Sequence, residues 1–334
     1  MKPLLLATST MEDKLKTLLF ESAACRAQLI RLDKTWQKIL SHNEYPAAVT
    51  RLLGELVAAS ALLSASLKFE GSLVLQIHGD GPVKLLVAEC NSQLGLRATV
   101  KLVENSVVED NISYQELLNA HGKGRFVLVL DPSNRLPGQQ PYQGIVSLAG
   151  NSVADSLEDY MRSSEQLETR LQLYSNNQTV SGVLLQQMPL DGGHGVKNHD
   201  VDGWGRLNML TQTLKSEEAL SADLDTIANR LFWEEKPIVL SERESHFHCT
   251  CSRKKVEKML FSLGKTEIDD ALNEQENIHV HCDFCNSSYI FTKPQCEKLF
   301  ARDEELDPID PDLDHAMEDP LKDLSRDGKP PTLH

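Results

Sequence analysis

Four cysteines toward the C-terminal end of the chain form two tight pairs. Cys249 and Cys251 make a C-x-C pair, and Cys282 and Cys285 make a C-x-x-C pair. Four thiolates in two close pairs are a common ligand set for a tetrahedral Zn²⁺ ion in a small segment. A permanent structural site more often has two C-x-x-C pairs, so the single residue between Cys249 and Cys251 is unusual. The spacing predicts a metal site.

The same cysteines could also be redox-active. Thiolates one residue apart can be oxidised to a disulfide that closes a very small, strained ring, and strained disulfides are the labile, regulatory ones. The four cysteines could therefore bind a metal when reduced and form two disulfides when oxidised. A permanent zinc staple is the commoner use of such a set, and both interpretations stay open at this point.

Basic and histidine residues surround the two pairs. Zn²⁺ with four thiolates carries a net charge of about −2. The basic run Arg253-Lys254-Lys255 could offset that charge, or it could equally form an exposed helix face. Four flanking histidines could substitute as ligands, but the presence of four cysteines disfavours this role: His246, His248, His279 and His281.

Three further cysteines complete the seven in the chain. Cys25 and Cys90 are isolated and are predicted to be small buried hydrophobes. Cys296 is predicted to be an ordinary thiol on a short helix over residues 293–300. An odd cysteine count with isolated members suits a reducing cytosol better than an extracellular disulfide framework, so we expect a cytoplasmic protein.

Length and charge restrict the class of protein. A chain of 334 residues with 40% hydrophobic content is long enough for one substantial core and a smaller module. The net charge of −15 disfavours nucleic acid as a partner, because that affinity depends on Lys and Arg neutralising phosphates. The apolar start Leu4–Ala7 is soon interrupted by charges, and the run Val57–Leu67 is too short to span a membrane, so neither secretion nor membrane insertion is expected.

The elements that must position the cysteines begin with a mixed region over residues 12–188. Ala47–Leu67 is predicted to be a long apolar helix. The segment Gly79-Asp80-Gly81-Pro82 is predicted to be a tight hairpin turn rather than a phosphate cradle, because no helix or lysine follows it. Four segments are predicted strands: Leu73–Ile77, Val83–Val87, Phe126–Leu130 and Gly144–Leu148. The predicted fold class is α+β, with an N-terminal core domain of mixed helices and antiparallel sheet.

A helical linker should follow this core. The polar stretch Asp191–Gly205 precedes two predicted amphipathic helices, whose apolar faces must pack on something. These faces consist of Leu207, Leu210, Leu214, Leu220, Leu224, Ile227 and Leu231. The segment is highly charged and therefore marginally stable without its packing partner. Residues 301–334 are acidic and proline-rich, and we expect a disordered tail that promotes solubility.

The cysteine pairs and two further motifs resemble the heat shock protein 33 family, the redox-regulated holdase chaperones of bacteria. The further motifs are Gln76–Pro82 and Leu157–Tyr160, the latter followed by Ser164–Leu167. The resemblance covers roughly residues 12–295. It implies four regions: a chaperone core domain (1–188), an amphipathic linker (189–240), a zinc redox-switch domain with four cysteine ligands (241–300) and the acidic tail (301–334).

The resemblance also implies a function. It implies a non-enzymatic, ATP-independent chaperone that is inactive when reduced, with one Zn²⁺ per chain held by Cys249, Cys251, Cys282 and Cys285. Oxidation would form the disulfides Cys249–Cys251 and Cys282–Cys285, release zinc and unfold the module and linker. The linker leucines would then bind unfolding client proteins, and a homodimer on activation is a further expectation.

Two other classes stay open. A static zinc-binding adaptor would keep its metal and its thiols would react slowly. A thiol-disulfide oxidoreductase using Cys282 and Cys285 would need a low-pKa cysteine at a helix N-terminus in a thioredoxin-like βαβ setting. The residues after Cys285 instead predict a turn leaving a strand.

Overall fold

The computed structural model describes residues 12–135, 139–189 and 200–301. They divide into two compact units, the first ending at His248 and the second starting at Cys249. The N-terminal apolar start, most of the predicted polar stretch before the linker helices and the acidic tail lie outside the described residues. The fold class is α+β, as predicted.

The first unit is built on strands that pair almost entirely in antiparallel fashion. In chain order the strands are β1 (Asp13–Phe20), β2 (Cys25–Leu32), β3 (Gly71–His78), β4 (Val83–Asn91), β5 (Gly95–Leu102), β6 (Arg125–Pro132), β7 (Tyr142–Val146), β8 (Thr169–Ser175), β9 (Val180–Gln187), β10 (Ile238–Glu244) and β11 (His246–Phe247).

These strands form two sheets. One has the order β10-β1-β2-β9-β8, and the other has the order β11-β5-β4-β3-β6-β7. Only the short β11–β5 pair is parallel among the pairs of the described residues. The predicted turn over residues 79–82 joins antiparallel β3 and β4 and is confirmed. The fourth predicted strand begins and ends two residues earlier than expected, at Tyr142 and Val146.

Helices cover and fill the space around the sheets. The helices of the first unit are α1 (Lys34–Leu40), α2 (Ala47–Ser66), α3 (Tyr114–Leu118), α4 (Val153–Ser163), α5 (Gly203–Gln212), α6 (Ser216–Ser221) and α7 (Leu224–Phe232).

Helix α2 is the centre of the main core. It contacts strands of both sheets and is buried along nearly its whole length. A Cβ on Gly54 would lie 2.6 Å from the Cβ of Ser175 on β8, so only glycine allows this close approach. By length and composition α2 could cross a membrane, but 83% of its apolar window is buried inside the protein. Its apolar character is therefore explained by the core.

The linker contains three described helices where the sequence predicted two. Helices α6 and α7 are separate because Ala222 is extended and the side chain of Asp223 accepts a 2.7 Å hydrogen bond from the backbone N–H of Thr226, which starts a new helix. The six-residue interval from Leu214 to Leu220 falls at the preceding break, between Gln212 at the end of α5 and Ser216 at the start of α6. The predicted polar stretch also ends earlier than expected, since Gly203 to Gly205 already belong to α5.

The linker helices lie on one face of the five-stranded sheet. Their buried side chains share an apolar cluster with residues of β1, β2 and β9. The rings of Phe20 and Phe232 meet edge to face with centroids 5.1 Å apart. The packing partner that the sequence required for the leucine faces is therefore this sheet.

The second unit is small. Its elements are α8 (Arg253–Leu263), α9 (Lys265–Glu274), β12 (Asn277–His281), β13 (Ser288–Thr292) and α10 (Lys293–Phe300). Its buried apolar side chains are few: Val256, Leu260, Ile268, Phe291 and Cys296. The predicted boundary at residue 241 falls inside β10, and the two units divide at residue 248. The predicted functional domains stay predictions.

Candidate metal centre

The start of a helix and a hairpin turn position the four clustered cysteines of the second unit. Cys249 and Cys251 directly precede α8, whose first turn is capped by Ser252: its side chain accepts a 3.2 Å hydrogen bond from the backbone N–H of Lys255. Cys251 therefore lies next to the positive end of the helix dipole, while burial raises the pKa of its thiol.

Cys282 and Cys285 lie in the turn between β12 and β13. The N–H of Asn286 donates to the carbonyl of Cys282 at 2.8 Å, and the N–H of Cys282 donates to the carbonyl of Ser287 at 3.0 Å. Asn286 has a φ of 54°, a left-handed conformation that asparagine tolerates better than most residues. This tight turn brings both sulfurs of the pair to one side of the hairpin.

The four sulfur atoms form one cluster. All four Sγ atoms lie within 4.8 Å of one another. The Sγ atoms of Cys249 and Cys282 are 3.7 Å apart, and those of Cys251 and Cys285 are 3.3 Å apart. A tetrahedral shell with metal–sulfur bonds of about 2.3 Å places its sulfurs about 3.8 Å apart. The donor set therefore fits a single metal ion.

The contact between two of these sulfurs shifts the pKa values of both thiols. A hydrogen bond with Cys282, together with burial, raises the pKa of Cys249 to about 12. The same contact lowers the pKa of Cys282. Four thiolates at this separation repel one another unless a cation lies among them, so metal binding and deprotonation are coupled.

Tyr289 on β13 is a neighbour that the sequence interpretation missed. Its hydroxyl donates to the Sγ of Cys251 at 3.1 Å, and this contact raises the pKa of Tyr289 to about 12. Hydrogen bonds of this kind orient metal ligands and stabilise their charge. The available signal was a tyrosine on the strand that leaves the C-x-x-C turn.

The other predicted site residues lie outside the cluster. All four flanking histidines are exposed, and none belongs to the cysteine cluster of the described residues. Cys296 is buried on α10, which spans the predicted residues 293–300, and Cys25 and Cys90 are fully buried. The predicted burial of Cys25 and Cys90 and the predicted short helix that carries Cys296 are confirmed. All seven cysteines are free thiols, so the structure represents the reduced chain.

The basic run has a structural use. The guanidinium of Arg253 lies 4.2 Å from the ring centroid of Phe291 and donates to the carbonyl of Ile290 at 3.2 Å. It therefore fastens α8 to β13. Lys254 is exposed, in agreement with the alternative of an exposed helix face.

The predicted client-binding leucines are mostly covered in this reduced structure. Leu207, Leu214, Leu224, Ile227 and Leu231 are buried against the five-stranded sheet, whereas Leu210 and Leu220 are partly buried. Six of the seven, all except Leu220, belong to the apolar cluster that the linker helices share with this sheet.

Comparisons with known proteins agree with this arrangement. The family model described as "Hsp33 protein" matches residues 13–292. The "33 kDa chaperonin" of Chromobacterium violaceum is 45% identical over 291 residues, which are 87% of this chain and 95% of that protein. The "33 kDa chaperonin" of Neisseria meningitidis serogroup A is 39% identical over 285 residues, which are 85% of this chain and 90% of that protein.

A solved structure has the same fold. The crystal structure of the 33 kDa chaperonin (heat shock protein 33 homolog) of Thermotoga maritima aligns with a TM-score of 0.70 and 21% identity. The alignment covers 87% of this chain and 98% of that one. At this identity the likeness shows the fold.

Proposed function

The chain belongs to the Hsp33 family, and from that membership we propose that it is a redox-regulated chaperone that holds unfolding proteins without ATP. The observation that carries the proposal is the cluster of four cysteine sulfurs within 4.8 Å of one another in a unit with a small apolar core. A unit of this size needs a bound metal ion or disulfides to stay folded, so the oxidation state of the four thiols can decide whether it is folded.

In the reduced state, Cys249, Cys251, Cys282 and Cys285 would hold about one Zn²⁺ per chain as thiolates. When bound, the ion supplies the positive charge that keeps the four thiolates together, which contributes on the order of 10 kcal/mol to folding of such modules. Tyr289 orients the Cys251 sulfur, and Ser252 begins the helix that positions it.

Oxidation would remove the thiolates. In our proposal Cys249 pairs with Cys251, and Cys282 pairs with Cys285. In each pair two thiolates give two electrons to one molecule of hydrogen peroxide; the O–O bond breaks, two protons are taken up from solvent, two waters leave and one S–S bond forms. In the structure Cys249 contacts Cys282 at 3.7 Å and Cys251 contacts Cys285 at 3.3 Å, so the two pairs are in contact with each other. An S–S bond of about 2.05 Å within each pair would replace these contacts, so the arrangement of the four sulfurs would be given up.

The linker would then provide the client surface. Its helices hold their leucines against the five-stranded sheet, and the segment is rich in charges that do not support a helix by themselves. Loosening of these helices uncovers apolar side chains on the linker and on the sheet, and such surfaces bind the apolar surfaces of unfolding proteins.

The remaining features of the proposal follow from the sequence. No Walker-type G-x-x-x-x-G-K-[ST] loop occurs, so the chain has no sequence signature of a P-loop ATPase. We propose a cytoplasmic, non-enzymatic protein that acts on unfolded clients, forms a homodimer on activation and binds neither nucleic acid nor membranes.

The pKa of Cys282 is lowered, but the position of the C-x-x-C pair in the fold does not fit the oxidoreductase alternative. Cys282 and Cys285 lie in a hairpin turn between two strands. A thioredoxin-like nucleophile would instead lie at a helix N-terminus after a strand of a βαβ unit.

The experiment measures three quantities on the same samples, before and after peroxide: zinc content, free thiols and suppression of the aggregation of a thermally unfolded client. We expect the reduced chain to contain about one zinc and to suppress aggregation poorly. The oxidised chain should have lost zinc and four thiols and should suppress aggregation without ATP.

A matched pair of variants tests the assignment. Cys282→Ser should lose tight zinc binding, whereas Cys296→Ala in the same unit should keep it, because Cys296 is outside the cluster. Equal suppression by the reduced, zinc-loaded and the oxidised, zinc-free chains would remove the redox switch and favour the static adaptor.

A further inference from the structure

The first unit contains an apolar cavity for which the proposed chaperone function gives no role. Its volume is about 540 Å³, within the range of about 300–1,000 Å³ that is usual for small-molecule sites. Residues of β2 and β9 from one sheet, β3 and β6 from the other, and the C-terminal end of α2 line it. The exposed residue Lys68 belongs to this lining, so the cavity reaches solvent there.

The walls are aliphatic. They are formed mainly by leucine and methionine side chains, among them Leu63, Leu73, Leu128, Leu130, Met161 and Leu167. No aromatic side chain is among the described residues that line the cavity. Flexible, unbranched aliphatic groups pack against such walls, whereas a planar ring finds no stacking partner.

The lining of the cavity includes an incompletely hydrogen-bonded cation, Arg26. The Nη2 of Arg26 donates to the carbonyl of Ser66 at 3.4 Å and to the Oε1 of Gln186 at 3.3 Å, both near the long limit for hydrogen bonds. Its Nε is buried and has no acceptor in the described part of the chain. Burial also lowers the pKa of Arg26.

The described lining offers no counter-ion for Arg26. No Asp or Glu is among those residues. A half-buried guanidinium with no carboxylate among the lining residues lacks its best partner, and a carboxylate that reaches its terminal nitrogens would neutralise it. An aliphatic chamber with an arginine in its lining therefore has the two recognition elements of a single-chain amphiphile.

We propose that this cavity binds a straight-chain fatty acid, with the carboxylate on Arg26 and the alkyl chain along the leucine and methionine walls. The site lies entirely within the first unit and is separate from the cysteine cluster. Its occupation and the redox switch can therefore be tested independently.

The test uses the full, reduced, zinc-loaded chain, titrated with laurate and, separately, with the uncharged dodecanol by calorimetry. Laurate should bind with saturation at a single site and more tightly than dodecanol. Methyl-labelled Met161 and Met188, which both line the cavity, should shift in NMR spectra on addition of laurate. Arg26→Gln should weaken laurate about tenfold and leave dodecanol unchanged, because a charge-assisted hydrogen bond is lost.

Two tryptophan variants locate the site independently of Arg26. Leu67→Trp places a large ring in the lining at a half-buried position and should abolish laurate binding. Val107→Trp adds the same ring at a position that is 84% exposed and outside the lining, and should change nothing. The proposal is overturned if laurate does not saturate, if dodecanol binds equally well, or if Leu67→Trp binds laurate like the wild type.

Discussion

At the residue scale, the contact between Tyr289 and Cys251 links the hairpin to the helix side of the cysteine cluster. The phenol donates at 3.1 Å to a sulfur that belongs to the other cysteine pair in sequence. A hydroxyl that donates to a thiolate stabilises the charged form and holds the ligand in its orientation. Tyr289 is therefore a positioning residue for the candidate metal site.

Tyr289→Phe removes this donor with little change in volume. We expect zinc affinity to fall about tenfold, since loss of a hydrogen bond to a metal ligand typically has an effect of about 10- to 100-fold. Competition with a chromophoric chelator measures the affinity. Ser288→Ala, an exposed neighbour on the same hairpin, is the control and should bind zinc like the wild type. An unchanged affinity in Tyr289→Phe would contradict a role for the phenol.

A second residue-scale prediction concerns Glu55 on α2. Burial raises the pKa of this carboxyl to about 7 against an ordinary value of 4.5, while Arg51 acts in the opposite direction. The folded state then binds more protons than the unfolded chain between these values, so stability falls as pH rises through this window and levels off above it. Glu55→Gln should be more stable than the wild type by roughly 1–2 kcal/mol at about pH 8 and equal to it near pH 4.

Urea unfolding of the zinc-loaded chain at both pH values measures this difference. The exposed Glu44→Gln is the control and should follow the wild type at both. A Glu55→Gln difference that is the same at both pH values would show that Glu55 does not titrate between them.

The four clustered cysteines could be predicted from the sequence, because two closely spaced pairs of cysteines are typical of a metal site. The residues that support them could not. Tyr289 and Arg253 act through contacts between segments that are distant in the chain, and no local pattern indicates which sulfur or ring they meet. The sulfur contacts between the two pairs, Cys249 with Cys282 and Cys251 with Cys285, likewise depend on how the hairpin meets α8.

At the element scale, the linker helices are held by both packing and buried charge. Arg31 on β2 pairs with Asp33 at 3.1 Å and donates to the carbonyls of Leu220 and Ala222, at 3.2 and 2.9 Å, where α6 ends. Lys16 on β1 contacts Asp225 at the start of α7 and Glu242 on β10. The end of α6 and the start of α7 are therefore both held by charged side chains of the sheet beneath them.

Phe232→Ala should loosen the linker while zinc stays bound. Phe232 is fully buried against Phe20, and such truncations destabilise by about 3–5 kcal/mol. Amide exchange should accelerate over α5 to α7, and the reduced variant should suppress client aggregation better than the reduced wild type. The adjacent Trp233→Ala is the matched control, since Trp233 is 69% exposed. Unchanged exchange over the linker in Phe232→Ala would contradict the proposed packing.

Helix periodicity predicted which linker residues would be buried but not how many helices carry them. The capping contact of Asp223 divides the second predicted helix region, and a single side-chain hydrogen bond is a weak signal in a charged segment. The sequence interpretation likewise did not assign β1, β2, β8 and β9. The pairs β1–β2 and β8–β9 are local hairpins, but the pairs β1–β10 and β2–β9, which join them into one sheet, connect strands that are far apart in the chain and leave no local pattern.

At the scale of the whole molecule, the two units differ in how much apolar surface supports them. The first has a large core centred on α2, and the second has a small one around Phe291 and Leu260. Units with so little core usually need a metal or a disulfide to stay folded. The first unit should therefore outlast the second when the thiolates are lost.

Removal of zinc from the reduced chain by a chelator should unfold the second unit alone. We expect NMR signals of residues 253–300 to collapse toward unfolded positions, while signals of α2 and β3 remain, because only the second unit depends on the ion. Readdition of Zn²⁺ should restore the spectrum. Retention of dispersed signals over 253–300 without metal would contradict dependence of this unit on the cysteine cluster.

The five-stranded sheet holds the linker at both ends. Strand β9 ends at Gln187 before the linker and β10 starts at Ile238 after it, and both strands belong to the same sheet. A released linker therefore remains attached to the sheet at both ends, as long as β10 keeps its pairing with β1. Its reach is limited by its own contour length, and its helices return to the sheet at a high effective concentration. Return of the linker helices to the sheet then competes continuously with client binding. A client can therefore be released without any external source of energy.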